Sequence, residues 1–349
     1  MFDKIFVCLD MAGCPNRCRH CWLGCTPNGR LHADDLRAVA AAFRPYARQL
    51  EVASWYREPD YLPEYRALWD LENELSDRRT VTHWELLSVW RAVRDEAYIP
   101  WLKTLGIRSA QLTLFGGEQM TGDYTGRPGA YAEILATMDR LLKNAIALRI
   151  QVFVNKENLT DLEVVADLIQ SHRLEERCAA IGMPFAAFVH QGSCDGENAK
   201  RVAIRPTPED LAQIPPLLVE HTLRHFGQTS LEAVFGQTEQ TLFSELEADG
   251  TTASLVSEQP VFFVDKDFKV YPNRSAPAPY WCLGDLREDG ADKILNRYQN
   301  GASPAQQARK DVPLGAMVRA CGDPSSRRLF SKDDYIDYIL NTYCEVTAP

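Results

Sequence analysis

Cys14, Cys18 and Cys21 stand in the run Cys-Pro-Asn-Arg-Cys-Arg-His-Cys, a Cys-x3-Cys-x2-Cys spacing directly after an apolar, strand-like segment at residues 4–9. Three thiolates on one short loop can hold three irons of a cubane [4Fe–4S] cluster. The fourth iron then has no protein ligand and is open to a substrate or cofactor. The competing chemistry is zinc. Structural zinc takes four ligands, commonly as two Cys-x2-Cys pairs. A second pair is missing, so Cys25 or His20 would have to complete the set. A disulfide framework does not suit a chain of 349 residues with 10 cysteines and no secretory signal peptide.

Composition narrows the partners. Hydrophobic residues make up 45% of the chain, enough for a full globular core, and the formal net charge is −10. The acidic balance argues against a nucleic-acid partner. It suits a cationic or neutral substrate. No apolar run is long enough for a helical membrane span. Unpaired cysteines and the lack of a targeting segment point to the cytoplasm.

The elements that must position the cysteines alternate strand and helix. Strands are expected at 5–9, 49–54, 79–87, 109–115, 149–154 and 185–190, with helices at 33–48, 61–75, 96–105, 130–143 and 159–171. Strands separated by helices pair in parallel through right-handed crossovers. Six such units predict an α/β fold, a partial (βα)6 TIM-like barrel over residues 1–210. In such folds the chemistry sits at the C-terminal ends of the strands. The cysteine loop, Arg57-Glu58-Pro59, Gly116-Gly117-Glu118 and Asn155 all fall there. Residues 211–349 form a small C-terminal α+β extension. It has helices at 211–226 and 231–247, a hairpin at 261–271, and further helices at 291–298 and 333–343.

At the Cys14–Cys21 run the chain resembles the radical S-adenosylmethionine (SAM) superfamily. The resemblance implies a [4Fe–4S] cluster on Cys14, Cys18 and Cys21, with the amino and carboxylate groups of SAM on the fourth iron. One electron, from an external donor such as flavodoxin or ferredoxin, then cleaves SAM to methionine and a 5′-deoxyadenosyl radical. His20 stands where the family usually has an aromatic residue near the adenine. Two segments offer the family's contact to the SAM amino group. Gly116-Gly117-Glu118 matches by letters, and Tyr56-Arg57-Glu58-Pro59 matches by position after the second strand. Position favours Glu58. The segment from Leu112 to Ile134 resembles the family's fourth-strand region, which implies Thr113 and Arg127 as holders of the SAM carboxylate. Asn155 resembles the polar residue of strand five.

The C-terminal part resembles a degenerate SPASM or twitch extension, from Lys269-Val-Tyr-Pro272 through Leu283-Gly-Asp-Leu286 to the helix at 291–298. Asn273 stands where relatives carry a cysteine, and no cysteine lies between Cys194 and Cys282. A single cluster is therefore expected. Cys194 and Cys282 remain as candidate hydrogen-atom donors. The implied substrate is a small natural-product intermediate, such as a sugar or aminocyclitol, or a short peptide. The outcome would be epimerisation or dehydrogenation. The small molecule is favoured because the chain starts at the first strand, with no room for a leader-peptide domain, and because the charge is acidic. The alternatives are a maturase of ribosomally made peptides and, in another class, a zinc-stabilised binding protein.

Overall fold

The computed structural model describes residues 1–9, 13–21, 31–54, 61–77, 87–272 and 277–347. The expected third strand at 79–87 falls almost entirely outside them, as does Glu58. The first half runs β1 (Phe2–Leu9), α1 (Ala33–Phe43), β2 (Ala47–Ala53), α2 (Tyr65–Leu75), α3 (Val89–Arg94), α4 (Tyr98–Thr104), β3 (Ser109–Leu114), α5 (Glu118–Thr125), α6 (Ala130–Lys143), β4 (Ala147–Phe153), α7 (Leu162–Ser171), α8 (Leu174–Ala180) and β5 (Ala186–His190). The second half runs α9 (Gly196–Ala199), α10 (Pro208–Leu211), α11 (Pro216–Phe226), α12 (Leu231–Phe235), β6 (Gln237–Thr238), α13 (Glu239–Leu246), β7 (Val261–Val264), β8 (Lys269–Pro272) and β9 (Gly284–Asp285). It closes with α14 (Leu286–Gln299), α15 (Pro304–Asp311), α16 (Leu314–Cys321), β10 (Leu329–Phe330) and α17 (Lys332–Thr347).

The strand–helix alternation is as expected, and among the described residues the parallel strands lie in two separate sheets. Strands β3, β4 and β5 form a parallel sheet of their own. The other parallel pair, β1 and β2, belongs to a sheet ordered β2-β1-β7-β8-β9. The fold is mixed α/β, and among the described residues no barrel closes. The second edge of β1 is taken by β7, which pairs with it in parallel from Phe6↔Val261 to Leu9↔Val264. The hairpin expected in the C-terminal extension is thus hydrogen-bonded into the first strand.

This pairing explains why β1 is apolar without a break from Ile5 to Leu9. Ile5, Val7 and Leu9 pack on one face against α1, β2 and α14. Phe6 and Cys8 pack on the other, against residues of α13, α16 and α17. A strand covered on both faces has no polar side to show. The β3–β5 sheet differs. Ala110, Leu112, Leu114, Leu148, Ile150, Val152, Ala187 and Val189 face a core of helical residues that includes Ile134, Leu141, Val165 and Leu218. The alternate positions carry Gln111, Thr113, Arg149, Gln151 and His190, all partly buried. That polar face is the inner one.

Two helix expectations are corrected by glycine. The helix expected over 231–247 breaks at Gly236, with φ +92° and a hypothetical Cβ 2.0 Å from the Phe330 carbonyl oxygen. The break lets β6 pair with β10. The helix expected at 291–298 starts earlier, at Leu286, and is interrupted at Gly290, where φ is 75°. Helix α3 and helix α5 were not expected; both are short, and α5 lies in a stretch rich in glycine.

The C-terminal helix is fastened by one buried ion pair. Arg205, 4% exposed, donates from Nη2 to Asp334 at 2.6 Å and from Nε to the Leu329 carbonyl at 2.9 Å. Asp334 in turn accepts from the Cys194 N–H at 2.6 Å. Removing one member strands a charge in a site with little water. Arg205→Ala is expected to destabilise the chain by about 3–5 kcal/mol, read as a shift in the urea midpoint. Asp334→Asn, which keeps an acceptor for the Cys194 N–H, should cost clearly less than Asp334→Ala.

Candidate active site

The cysteine loop has no secondary structure, so its backbone must find partners elsewhere. It finds them on α5. The Arg17 N–H donates to the Thr125 carbonyl at 2.7 Å, and the Arg19 N–H donates to the Tyr124 carbonyl at 2.8 Å. Both are last-turn carbonyls that the helix itself leaves unsatisfied. On the other flank the Glu197 N–H donates to the Cys21 carbonyl at 2.8 Å. Within the loop the Cys21 N–H donates to the Cys18 carbonyl at 3.1 Å. Cys14, Cys18 and Cys21 are all partly buried.

Close approach of loop and helix requires Gly126. Its φ is +63°, and a Cβ there would stand 2.8 Å from the Arg17 Cβ and 3.1 Å from the Arg17 carbonyl oxygen. Arg127 follows. It donates from Nε to the Asn16 side-chain oxygen at 2.8 Å and from Nη1 to Glu133. The other oxygen of Glu133 accepts from Arg94 at 2.5 Å. The two guanidinium groups hold the Glu133 carboxyl below its usual range against the opposing cost of burial, which is the largest single influence.

His20 turns inward. Its ring lies 4.6 Å from that of Phe115 and 4.8 Å from that of Phe153. Phe115 stacks on Tyr124 at 5.0 Å. His20 Nδ1 is sealed from solvent with no hydrogen-bond partner among the described residues. Burial, then the neighbouring His190, lower its pKa to about 3, so the ring is neutral. An apolar-walled imidazole with an unused nitrogen beside the cysteine loop is suited to a flat, polar-edged ligand.

The inner face of β3–β5 carries a side-chain ladder that sequence reasoning missed. Gln111 is hydrogen-bonded to Gln151, and Gln151 to His190. His190 Nδ1 accepts from the Gly192 N–H at 3.2 Å. Burial, then the charge of Arg205, lower the His190 pKa to about 4. The signal was present as period-two polarity in Ser-Ala-Gln-Leu-Thr-Leu and Arg-Ile-Gln-Val-Phe-Val. Thr113 lies on this face, opposite Gln151 in register.

Asn155 is 4% exposed and its amide is engaged on both sides. It donates to the Tyr124 hydroxyl at 2.7 Å and accepts from the Glu157 N–H at 2.8 Å. Tyr124 donates to Glu157 at 2.8 Å, and Arg201 pairs with the same carboxylate. Gly116 and Gly117 have a local task. A Cβ on Gly116 would stand 2.5 Å from the Asp161 Cβ, and the Gly117 N–H donates to Asp161 Oδ1 at 3.3 Å. Glu118 is exposed at the start of α5. Tyr56-Arg57-Glu58-Pro59 lies outside the described residues.

Cys194 and Cys282 both border the apolar cluster that Cys21 also touches. Cys194 is 2% exposed. Burial pushes its thiol up to about 12, so the S–H stays intact. Cys282 is partly exposed, and its thiol donates to the Gly284 carbonyl at 3.8 Å. Burial raises its pKa as well. Next to Cys194, burial raises Asp195 to about 6.

Among the described residues no group of three or more His, Cys, Asp or Glu side chains is gathered to hold a single metal ion. A cubane asks for something else, one thiolate on each of three irons. Three cysteines on one fixed loop are the donor set for that. The profile of the Radical SAM superfamily matches residues 9–169. Residues 9–169 are a radical SAM domain. Radical SAM proteins use a [4Fe–4S] cluster and SAM. Among solved structures, the chain is similar to one described as native anSMEcpe with bound AdoMet. The TM-score is 0.53 at 13% identity, over 98% of each chain. A second, native anSMEcpe with bound AdoMet and Cp18Cys peptide, gives a TM-score of 0.53 at 12% identity, over 99% of this chain and 100% of that one. No curated protein matches the sequence. No helix among the described residues is long and apolar enough to cross a membrane.

Two outcomes test this geometry. Gly126→Ala should cost about 1–2 kcal/mol from left-handed backbone strain alone and, by pushing Arg17 away, raise the alkylation rate of the loop cysteines in the cluster-free chain. Gly129→Ala is the control, since its φ is +79° but nothing lies within 4 Å of the added methyl. It should cost stability without moving the alkylation rate. The second outcome concerns His190. An unfolded histidine titrates near 6.5, whereas the folded one stays neutral down to about 4. Between those values the unfolded chain binds the extra proton, so stability must fall as pH drops from about 6.5 to 4. Urea midpoints of cluster-free His190→Gln should fall less steeply over that window.

Proposed function

We propose that this chain is an enzyme in which Cys14, Cys18 and Cys21 hold a [4Fe–4S] cluster and SAM occupies the open iron, so that a hydrogen atom is taken from a substrate C–H bond. When bound, the cluster and SAM supply a 5′-deoxyadenosyl radical by one-electron reductive cleavage. What carries the reading is the loop itself. It is fixed to α5 on one flank and to the Glu197 N–H on the other, yet its three cysteines are only partly buried.

The protein's own residues bind and orient. Glu58 is the proposed partner of the SAM amino group. Thr113, on the inner sheet face, and Arg127, beside the loop, are its proposed carboxylate partners. His20 offers the neutral ring to the adenosyl group. Asn155 supports that wall through Tyr124, since its own amide is already committed. Cys194 and Cys282, whose thiols burial keeps protonated, are the proposed donors of a returning hydrogen atom. The strands are read as a partial TIM-like barrel opened where β7 occupies the edge of β1, with β7–β9 and the helices after them as a SPASM- or twitch-like cover.

For the substrate, a short peptide gains support from the full-length likeness to a structure solved with a bound peptide. A small amine-bearing natural product is supported by the net charge of −10. Epimerisation follows if a thiol returns the hydrogen atom, and dehydrogenation if the substrate radical instead loses a proton and passes one electron to an external one-electron acceptor.

Anaerobic reconstitution should give a brown protein with about four irons per chain that forms 5′-deoxyadenosine from SAM under dithionite. Cys14/Cys18/Cys21→Ala should lose both the iron and the product. A colourless protein that holds zinc and leaves SAM intact would replace this reading with a zinc-stabilised binding protein. About eight irons, half surviving the triple substitution, would overturn the single cluster.

A further inference from the structure

We infer that Arg127 positions the cysteine loop through Asn16, so that it shapes the cluster site before any SAM is present. The inference rests on the reading that Cys14, Cys18 and Cys21 bind the cluster, and goes beyond it.

Asn16 lies between the first two cysteines, and its side-chain oxygen is held by Arg127 Nε at 2.8 Å. The guanidinium is only 15% exposed and is committed elsewhere too, through Nη1 to Glu133. Glu133 is itself tied to Arg94. The chain Arg94–Glu133–Arg127–Asn16 therefore links helix α3, helix α6, the turn after α5 and the cysteine loop. Each link is charge-assisted, and such bonds are shorter and stronger than neutral ones. The links lie beside the two backbone bonds from Arg17 and Arg19 to the end of α5, and Gly126 permits the approach. A loop that must present three sulfurs in fixed relation, with no helix or strand of its own, gains its geometry from such anchors.

A guanidinium used only as a counter-charge for a SAM carboxylate would need neither the Asn16 bond nor the fork. Lysine keeps the charge but cannot bond Asn16 and Glu133 in the same geometry. That difference separates the two roles.

The test compares wild type with Asn16→Ala, Arg127→Ala, Arg127→Lys and the Asn16→Ala/Arg127→Ala double variant, all without SAM. Two quantities are read on protein whose far-UV circular dichroism matches wild type. One is the alkylation rate of Cys14 and Cys18 in the cluster-free chain. The other is the rate at which the reconstituted cluster bleaches in air, with the EPR spectrum of its reduced form. Loss of one hydrogen bond to a charged group should speed alkylation about tenfold. The expected result is equal acceleration in Asn16→Ala and Arg127→Ala, no further gain in the double variant, no rescue by Arg127→Lys, and a parallel rise in bleaching with shifted g-values.

Alkylation at the wild-type rate in Arg127→Ala or in Asn16→Ala would overturn the inference. So would a double variant whose effect is the product of the two single ones, or full rescue by lysine. Failure of the underlying function looks different. Alkylation would respond as expected, but wild-type protein would take up no iron, or the triple cysteine variant would keep it. If both singles misfold, Arg127→Lys and Asn16→Ser carry the same comparison.

Discussion

The unsatisfied carbonyls at the C-terminal end of α5 are what the cysteine loop hangs on. A loop without regular structure must satisfy its amide groups somewhere, and a helix terminus offers acceptors with no partner of their own. Here the two needs meet at Thr125 and Tyr124. The meeting demands a backbone approach that only glycine at 126 allows. It also fixes where the loop's side chains go. His20 is driven between Phe115 and Phe153, and Asn16 is brought to Arg127. Tyr124 serves twice, giving its carbonyl to the loop and its hydroxyl to Asn155 and Glu157. The arrangement around the candidate cluster site is thus built from one helix end outward.

The two sheets divide the work. The β3–β5 sheet spends one face on a helical core and keeps the other for polar side chains. The β1–β2 sheet is covered on both faces, by helices outside it and by the C-terminal helices inside, and the charge it buries, Glu51, is paired with Lys4 at 2.7 Å. The Arg205–Asp334 pair locks that inner cover against the turn after β5, next to Cys194. The thiol is consequently buried between the radical SAM domain and the last helix, and the same burial keeps it protonated.

Much of this was legible in the sequence. Cys-x3-Cys-x2-Cys after a strand is a local pattern, and the alternation of strand and helix is a periodic one; both survive in the structure with shifts of a few residues at the ends. Polar positions recur every second residue in β3 and β4, which is the local signature of the polar sheet face. The partnership of β1 with β7 was not legible, because no local rule links Phe6 to Val261. Nor was the bond between Arg127 and Asn16, residues 111 apart in the chain. Gly116-Gly117 matches a family motif by letters, yet its conformation answers to the close approach of Asp161. Glycine spacing alone cannot separate those two causes.

The β1–β7 pairing also sets an order of events during synthesis. Phe6 leaves the ribosome long before Val261 exists. At ordinary translation rates the interval is on the order of tens of seconds. Throughout it β1 has one open edge and an apolar inner face with nothing to cover it, while the cysteine loop at its end is already exposed. Nascent chains of this protein therefore carry an aggregation-prone strand next to three oxidisable thiols. A holding chaperone that shields the first strand would protect both at once.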